Sequence, residues 1–208
     1  CSSDLEPEPY PDDYELVSFQ QFSEAVRACG YGSPSMSQYN SFVSRAPRDG
    51  GITTKRELAM FLANILHESG GLQYVREIRC EHSGCPGEYV HPSLDRPGQT
   101  YYGRGYIQLT WSYNYNDASY ALFGDDRLVR DPDSVARSVD LSWAVSFWYW
   151  KERVHSLVQG GQFGASIKAI NGGLECPGCR AHCPKRVDNY LTIIRIFSPN
   201  ESPNTSGC

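Results

Sequence analysis

The sequence predicts a mainly α-helical fold, and three observations carry that expectation. Apolar residues return at helical spacing in several stretches, most clearly at Leu58, Phe61, Leu62, Ile65 and Leu66, which share one helical face at about 100° per residue. Roughly six such stretches can be traced, and little of the chain is patterned as strand. The polar side chains able to do chemistry fall in the loops between them.

Residues 1–15, rich in Glu, Asp, Pro and Tyr, read as a flexible arm. A first helix over 17–29 follows from Phe19, Phe22, Val26 and Cys29, with Gly30 and Gly32 ending it. A second over 35–43 gives way to a loop at Pro47, Gly50 and Gly51. Thr54 and Glu57 form a capping box that starts the central helix, and Gly70-Gly71 breaks it. Residues 80–99 lose periodicity and carry three prolines and three glycines. So long a loop in a compact domain is functional or pinned, and Cys80 and Cys85 can pin it at the rim of a cleft. Residues 101–116 are dense in aromatic and amide groups, and a small β-hairpin accounts for about half of those aromatics. One helix from Asp131 through Val139, Trp143, Phe147 and Trp150 comes next. After Gly160 and Gly161, a short helix is expected over 163–170 and a last one with Val187, Tyr190, Leu191 and Ile194 inward. Residues 16–198 are thus a single domain, with 199–208 a polar tail.

Composition narrows the function classes. At 208 residues, with 40% apolar and 21% charged side chains, the chain is long enough to bury a core without a metal or partner copy, and it reads as a monomer. A formal charge of −5 with no basic block argues against nucleic acid. No apolar run approaches the ~18 residues of a membrane span. The chain opens at Cys1 without a basic and then apolar leader, so any secretion signal is expected to have been removed or excluded. Eight cysteines, at 1, 29, 80, 85, 176, 179, 183 and 208, read as an oxidised framework in a secreted protein. The sequons at Asn200 and Asn204 agree with that compartment. The rival for Cys176, Cys179 and Cys183 is a zinc site, which Cys80 and Cys85 would have to complete.

The chemistry centres on Glu68 and Glu77. Glu68 falls at the edge of the apolar face of the central helix, where desolvation should raise its pKa, and Glu77 returns past it after the Gly70-Gly71 break. Two carboxyls in unequal surroundings are what an acid/base hydrolase needs. The aromatic and amide side chains of 101–116 suit sugar rings, hydroxyls and N-acetyl groups.

Four stretches then carry a resemblance: Phe61-Leu62-Ala63-Asn64-Ile65-Leu66-His67-Glu68-Ser69-Gly70-Gly71, Tyr102-Gly103-Arg104-Gly105-Tyr106-Ile107-Gln108-Leu109-Thr110, Tyr113-Asn114-Tyr115 and Ile170-Asn171-Gly172-Gly173-Leu174-Glu175-Cys176. In this order and at these separations the chain resembles the glycoside hydrolase family 19 chitinases over residues 19–197. The resemblance implies a two-lobed, lysozyme-like helical fold around a central cleft. It also implies secreted, endo-acting hydrolysis of β-1,4-linked N-acetylglucosamine polymers with inversion, the substrate being chitin or chitooligosaccharides and no cofactor or metal being needed. By motif, Glu68 is the general acid, Glu77 the general base and Thr110 the hydroxyl that helps hold the attacking water. His67, Tyr102, Gln108, Tyr113, Asn114 and Asn171 would contact substrate, with Glu175 and Arg186 a supporting ion pair. Cys176 with Cys208 resembles a tie made by bacterial members. The other pairs expected are Cys80 with Cys85, Cys1 with Cys29 and Cys179 with Cys183, the last four cysteines allowing three pairings.

Tyr106 and Ser69 stand where many members have proline and threonine. Arg76 and Arg79 flank Glu77, and either cation would lower its pKa and weaken it as a base, with Glu81 the nearby substitute. That pair leaves room for a weakly active chitin-binding protein. A lysozyme-like peptidoglycan hydrolase is the other alternative, although an acidic glycan fits a chain at −5 less well.

Overall fold

The structure is a computed structural model that describes residues 15–208; the expected arm up to residue 14, and with it Cys1 as a partner for Cys29, lies outside the described residues. Nine α-helices occur among those residues: α1 Phe19–Ala28, α2 Met36–Gly50, α3 Lys55–Glu68, α4 Ser112–Phe123, α5 Arg127–Arg130, α6 Ser134–Arg137, α7 Val139–Arg153, α8 Phe163–Glu175 and α9 Cys183–Phe197. Helix α3 is the axis. Every residue from Glu57 to Leu66 is buried, because α9 and α8 lie against it while α2 and α7 pair alongside. Phe61 stacks on Phe147 at 4.2 Å and meets Trp150 edge-on at 5.4 Å, so α3 and α7 share one aromatic core.

The helices start where short polar side chains can satisfy free backbone N–H groups. Complete capping boxes pair Ser18 with Gln21 and Ser35 with Gln38. The expected box at Thr54 is half made: Thr54 Oγ1 accepts from the Glu57 amide at 3.2 Å. The Glu57 carboxylate instead turns inward and accepts from Trp150 Nε1 at 2.8 Å and from Gln159 Nε2 at 3.2 Å, with His155 Nδ1 at 2.6 Å. Burial next to a free indole N–H outweighs the local cap.

Several boundaries differ from the sequence expectation. Helix α2 runs through Pro47 to Gly50, and Gly51 at φ 66° ends it with Ile52 N–H on the Ala46 carbonyl at 2.9 Å. A proline in a last turn removes one backbone bond only, which packing against α7 outweighs. Instead of the expected small β-hairpin, residues 101–111 form tight turns joined by isolated bridges, Arg76 to Arg104 and Arg104 to Leu109, and α4 begins at Ser112. The period-two Tyr113-Asn114-Tyr115-Asn116 pattern is misleading because Ser112, Tyr115, Ala118 and Ser119 are the residues α4 buries. The single helix expected from Asp131 is two, α6 and α7, divided at Ser138 (φ −128°, ψ 125°), whose hydroxyl caps α7. Helix α8 continues to Glu175 through a non-helical Asn171 (φ −146°, ψ 34°). In α9 Tyr190 and Ile194 face inward as expected, but Val187 and Leu191 are only partly covered; Arg186, Asn189 and Ile193 complete the buried face.

Two lobes flank a cleft. The larger is the helical core. The smaller is built from loops on a cluster of Cys80, Cys85 and Tyr102, with Tyr89 against it. Disulfides join Cys80 to Cys85, Cys176 to Cys208 and Cys179 to Cys183. Cys29 is buried and forms no disulfide with a described cysteine; its thiol faces the Asn189 carbonyl at 3.7 Å, and burial pushes its pKa up to about 11. The polar tail lies flat on the start of α8, where Phe163 N–H donates to Asn204 O at 2.9 Å. A Cβ on Gly164 would stand 2.5 Å from the Ser206 carbonyl oxygen, so only glycine admits this approach.

The Cys176–Cys208 bond, 32 residues apart, closes that tail onto α8. Replacing both with serine should lower unfolding free energy by about 2–4 kcal/mol through the lost loop constraint. Urea denaturation measures this; an unchanged midpoint would mean that backbone docking alone holds the tail.

Candidate active site

Glu68 is the last residue of α3, and the sequence after it makes the chain leave at once. Ser69 Oγ donates to Ile65 O at 2.7 Å and accepts from Leu72 N–H at 2.8 Å. Gly70, Gly71 and Leu72 then take positive φ. A Cβ on Gly71 would lie 2.4 Å from the Tyr31 ring, so this turn needs glycine for space as well as for its φ of 78°.

Behind Glu68 lies a buried guanidinium. The Arg186 side chain is 2% exposed. Its Nε donates to both oxygens of the buried Glu175 at 3.2 and 3.1 Å, Nη1 to Asn64 Oδ1 at 3.3 Å, and Nη2 to Glu175 Oε1 at 3.0 Å and to Glu68 Oε1. Asn64 is held in turn by donating to Met60 O and Ser166 Oγ, each at 2.9 Å. Burial alone would raise the Glu175 pKa, but hydrogen bonds from Arg186 and Asn171 and the Arg186 charge hold it below the usual carboxylate value. The expected ion pair is therefore a three-helix junction of α3, α8 and α9.

In front of Glu68 opens a pocket of about 220 Å³ lined by Glu68, Gln108, Thr110, Asn114, Tyr149 and Asn171 among others. Gln108 and Thr110 arrive on the turn between Gly105 and α4, which Gln108 (φ 57°) and Trp111 (φ 71°) allow to be tight, and Asn114 arrives on the first turn of α4. Arg104 anchors this turn. It is 4% exposed, exchanges both backbone hydrogen bonds with Leu109 and donates to Asp133, Thr100 O and Tyr115 Oη.

Glu77 is held from the smaller lobe. Its Oε2 accepts from Gly103 N–H at 3.2 Å, and its Oε1 from Tyr89 Oη and Arg79 Nη2, each at 3.1 Å. Gly103 in turn lies against Gln108, where an added Cβ would come within 2.9 Å of Oε1. Of the two flanking arginines only Arg79 reaches Glu77, and it also bonds Glu88 through two nitrogens. Arg76 turns away to Asp133, which it shares with Arg104. Glu81 is exposed, and its amide turns back onto the Glu77 carbonyl.

The pocket thus gathers Glu68, Thr110, Gln108, Asn114 and Asn171. Tyr113 stands on the rim, 39% exposed and stacked on Trp111 at 6.0 Å. Tyr102, expected at the substrate by motif, is outside the pocket lining, 5% exposed and covered by the Arg104 guanidinium, 3.7 Å from its ring centroid. His67 sits outside the pocket lining, its ring 5.1 Å from that of His182. Tyr89, Asp133 and Tyr149 were missed by sequence reasoning. Nothing local marks them, since Asp133 is 57 positions from Arg76 and Tyr149 reads as another aromatic in a core helix.

Burial, and then the Arg186 charge, depress the His67 pKa from 6.5 to about 4. Above pH 6.5 the ring is neutral in both folded and unfolded chains. Between 6.5 and about 4 the unfolded chain takes up a proton that the folded one refuses, so stability falls with pH across that window. Glu175, also depressed, adds its loss only below its unfolded value of 4.5. Melting temperature against pH should therefore decline from 6.5 downward, and His67→Gln should flatten the upper part of that decline. Parallel curves for the two proteins would contradict the assignment.

The sequence profile of the family described as chitinase class I matches residues 34–159. An Arabidopsis thaliana protein named endochitinase At2g43610 is 37% identical over 194 residues, 89% of this chain and 66% of its own length. Chitinase 4 of Oryza sativa subsp. japonica is 40% identical over 171 residues, 80% of this chain and 56% of its own. The chain therefore spans between about half and two thirds of these relatives' length. Among solved structures, a class IV chitinase of family 19 from Zea mays superposes with a TM-score of 0.73 at 31% identity, covering 92% of this chain and 98% of that one. A bacterial family 19 chitinase gives 0.75 at 31% identity, covering 93% and 100%. The chain belongs to the family 19 chitinases.

Proposed function

We propose that residues 16–198 are the catalytic unit of a secreted, monomeric endochitinase that cleaves β-1,4-linked N-acetylglucosamine chains with inversion, and that 199–208 close onto it. The observation that carries this reading is that a carboxyl from each lobe lies beside the segment 103–110. Glu68, from the helical core, faces a pocket of amides and hydroxyls. Glu77, from the loop lobe, is held one residue's breadth beyond Gln108 by Gly103. Inverting hydrolases need such a pair, far enough apart for a water to enter between base and sugar.

Glu68 acts as the general acid. Arg186, bound through both oxygens of Glu175, also holds Glu68 Oε1 and so orients the carboxyl that would protonate the leaving glycosidic oxygen. Glu77 acts as the base, oriented by Gly103 N–H and Tyr89 Oη, and it removes a proton from the attacking water. Thr110 offers that water a donor and an acceptor; its hydroxyl has no hydrogen bond to a described residue. Three disulfides support an oxidising, extracellular location, and no described helix is long and apolar enough to cross a membrane. Gln108, Asn114 and Asn171 contact the sugar from the pocket and Tyr113 from its rim.

Glu68→Gln and Glu77→Gln should each lower kcat on chitooligosaccharides by a factor on the order of 10² or more while leaving KM within a few-fold. Anomeric analysis of fresh wild-type products should find inversion. A near-normal rate in either variant, or retention, would remove that assignment.

The Arg79 contact supports the weak-base alternative and makes it testable. Arg79→Gln removes the flanking cation that bonds Glu77 and should change kcat/KM by roughly several-fold, whereas Arg76→Gln, whose guanidinium is held by Asp133, should leave it within about two-fold. Arg79 is exposed, so the effect should shrink as salt is raised. The opposite ranking of the two arginines would overturn this division. If wild-type protein binds chitin without releasing sugars, the weakly active reading holds instead.

A further inference from the structure

We propose that the hydroxyl of Tyr149 is a substrate-binding group, donating its proton to the N-acetyl carbonyl oxygen of the sugar held in the Glu68 pocket. This rests on the chitinase reading and names a specificity residue for it.

Tyr149 lies on α7 and lines the pocket. Its ring is packed against the main core and meets Trp148 edge-on at 6.4 Å, so the phenol is fixed before any ligand arrives. The hydroxyl makes no hydrogen bond to a described residue. Burial pushes its pKa up; Arg153 opposes this, and the Glu68 charge adds to the rise. The phenol therefore stays a neutral donor across the range in which carboxylic acids titrate.

The surrounding groups decide what such a donor is for. Gln108 Nε2 donates to Gly105 O at 3.0 Å, Asn114 Nδ2 to Thr110 O at 2.9 Å and Asn171 Nδ2 to Glu175 Oε1 at 2.8 Å. Each partner is an acceptor, so the NH₂ end of each amide must face it. Their oxygens accept nothing from described residues and are left toward the ligand. The pocket is thus rich in acceptors, which suit sugar O–H and acetamide N–H groups. The acetamide carbonyl, the strongest neutral acceptor on the sugar, needs a donor, and Tyr149 supplies one at the end of a rigid ring. A phenol in a ligand pocket with no protein partner loses a hydrogen bond to water when the sugar enters, unless the sugar replaces it.

Tyr149→Phe removes one oxygen and keeps the ring. Its melting temperature should match the wild type, because the hydroxyl has no partner in the fold. On chitohexaose, kcat/KM should fall about 3- to 10-fold, the size of one neutral hydrogen bond. Partially deacetylated chitosan supplies the diagnostic measurement. Mass-spectrometric sequencing of products should show wild type selecting N-acetylated sugar at a position flanking the cut, and the variant admitting more free-amine sugar there. Identical sequence preference in an active variant, or a lowered melting temperature, would overturn the assignment and leave the chitinase reading intact. Failure of wild type to cut chitohexaose would remove both together.

Discussion

A guanidinium buried to 2% exposure cannot be left unpaired, and the arrangement of the helical lobe around α3 follows from that constraint. Arg186 stands on α9 and is satisfied by Glu68 and Asn64 from α3 and by Glu175 from α8. Removing Glu175 would strand charge where water cannot reach it, and the hydrogen bonds to Glu68 and Asn64 add to the hold of the three helices on one another. The apolar packing of α9 on α3 gives this junction its low-dielectric surroundings; the junction in turn fixes Glu68 at the cleft. Asn171 joins the same junction through a break in α8. A regular helix would carry Asn171 and Glu175 on one face at one turn's spacing; the non-helical Asn171 still donates to Glu175 while its side chain lines the pocket.

The smaller lobe solves a comparable problem with less material. Arg104 is nearly as buried as Arg186, and it is balanced by Asp133, by backbone carbonyls and by the Tyr102 and Tyr115 rings. Asp133 also binds Arg76, one residue before Glu77. The Glu77 segment and the Thr110 turn are therefore tied to the same carboxylate. The two candidate catalytic groups and the Thr110 hydroxyl are positioned by two arginine hubs, one in each lobe.

What could be read from the sequence was what short-range rules govern. The central helix, its start at Thr54, its break at Gly70-Gly71, the pinned loop at Cys80 and Cys85 and the two glutamates all follow from spacing and turn chemistry, and the motif resemblance fits the family. Elements shaped by distant contacts were less legible. The end of α2 and the Glu57 side chain obey packing partners on α7, more than 90 positions away. Helix α4 was obscured by alternating tyrosine and asparagine, and the inward face of α9 by the polarity of Arg186 and Asn189, which periodicity counts as outward. Tyr102 matched a motif and yet lies under Arg104. A motif reports that a residue matters, and only its neighbours say whether it touches a ligand or holds the wall behind one.

The contrast between the two carboxyls has a consequence for how the cleft works. Glu68 is backed by groups at or near zero exposure, in a core whose opening would cost much of the global stability. Glu77 is backed by one disulfide, a small cluster and an Arg79–Glu88 ion pair that is exposed on both sides. The hydrogen bonds of residues 80–99 are mostly turns within the segment, such as Gly84 to Cys80 and Gln99 to Arg96, and few apolar side chains there are buried. Such a segment opens at lower cost than the helices. Glu68 is therefore fixed together with the pocket it lines, whereas Glu77 rides on the wall that opens more readily. In the proposed division of labour this places the proton donor on the rigid side of the cleft and the group that activates water on the softer one.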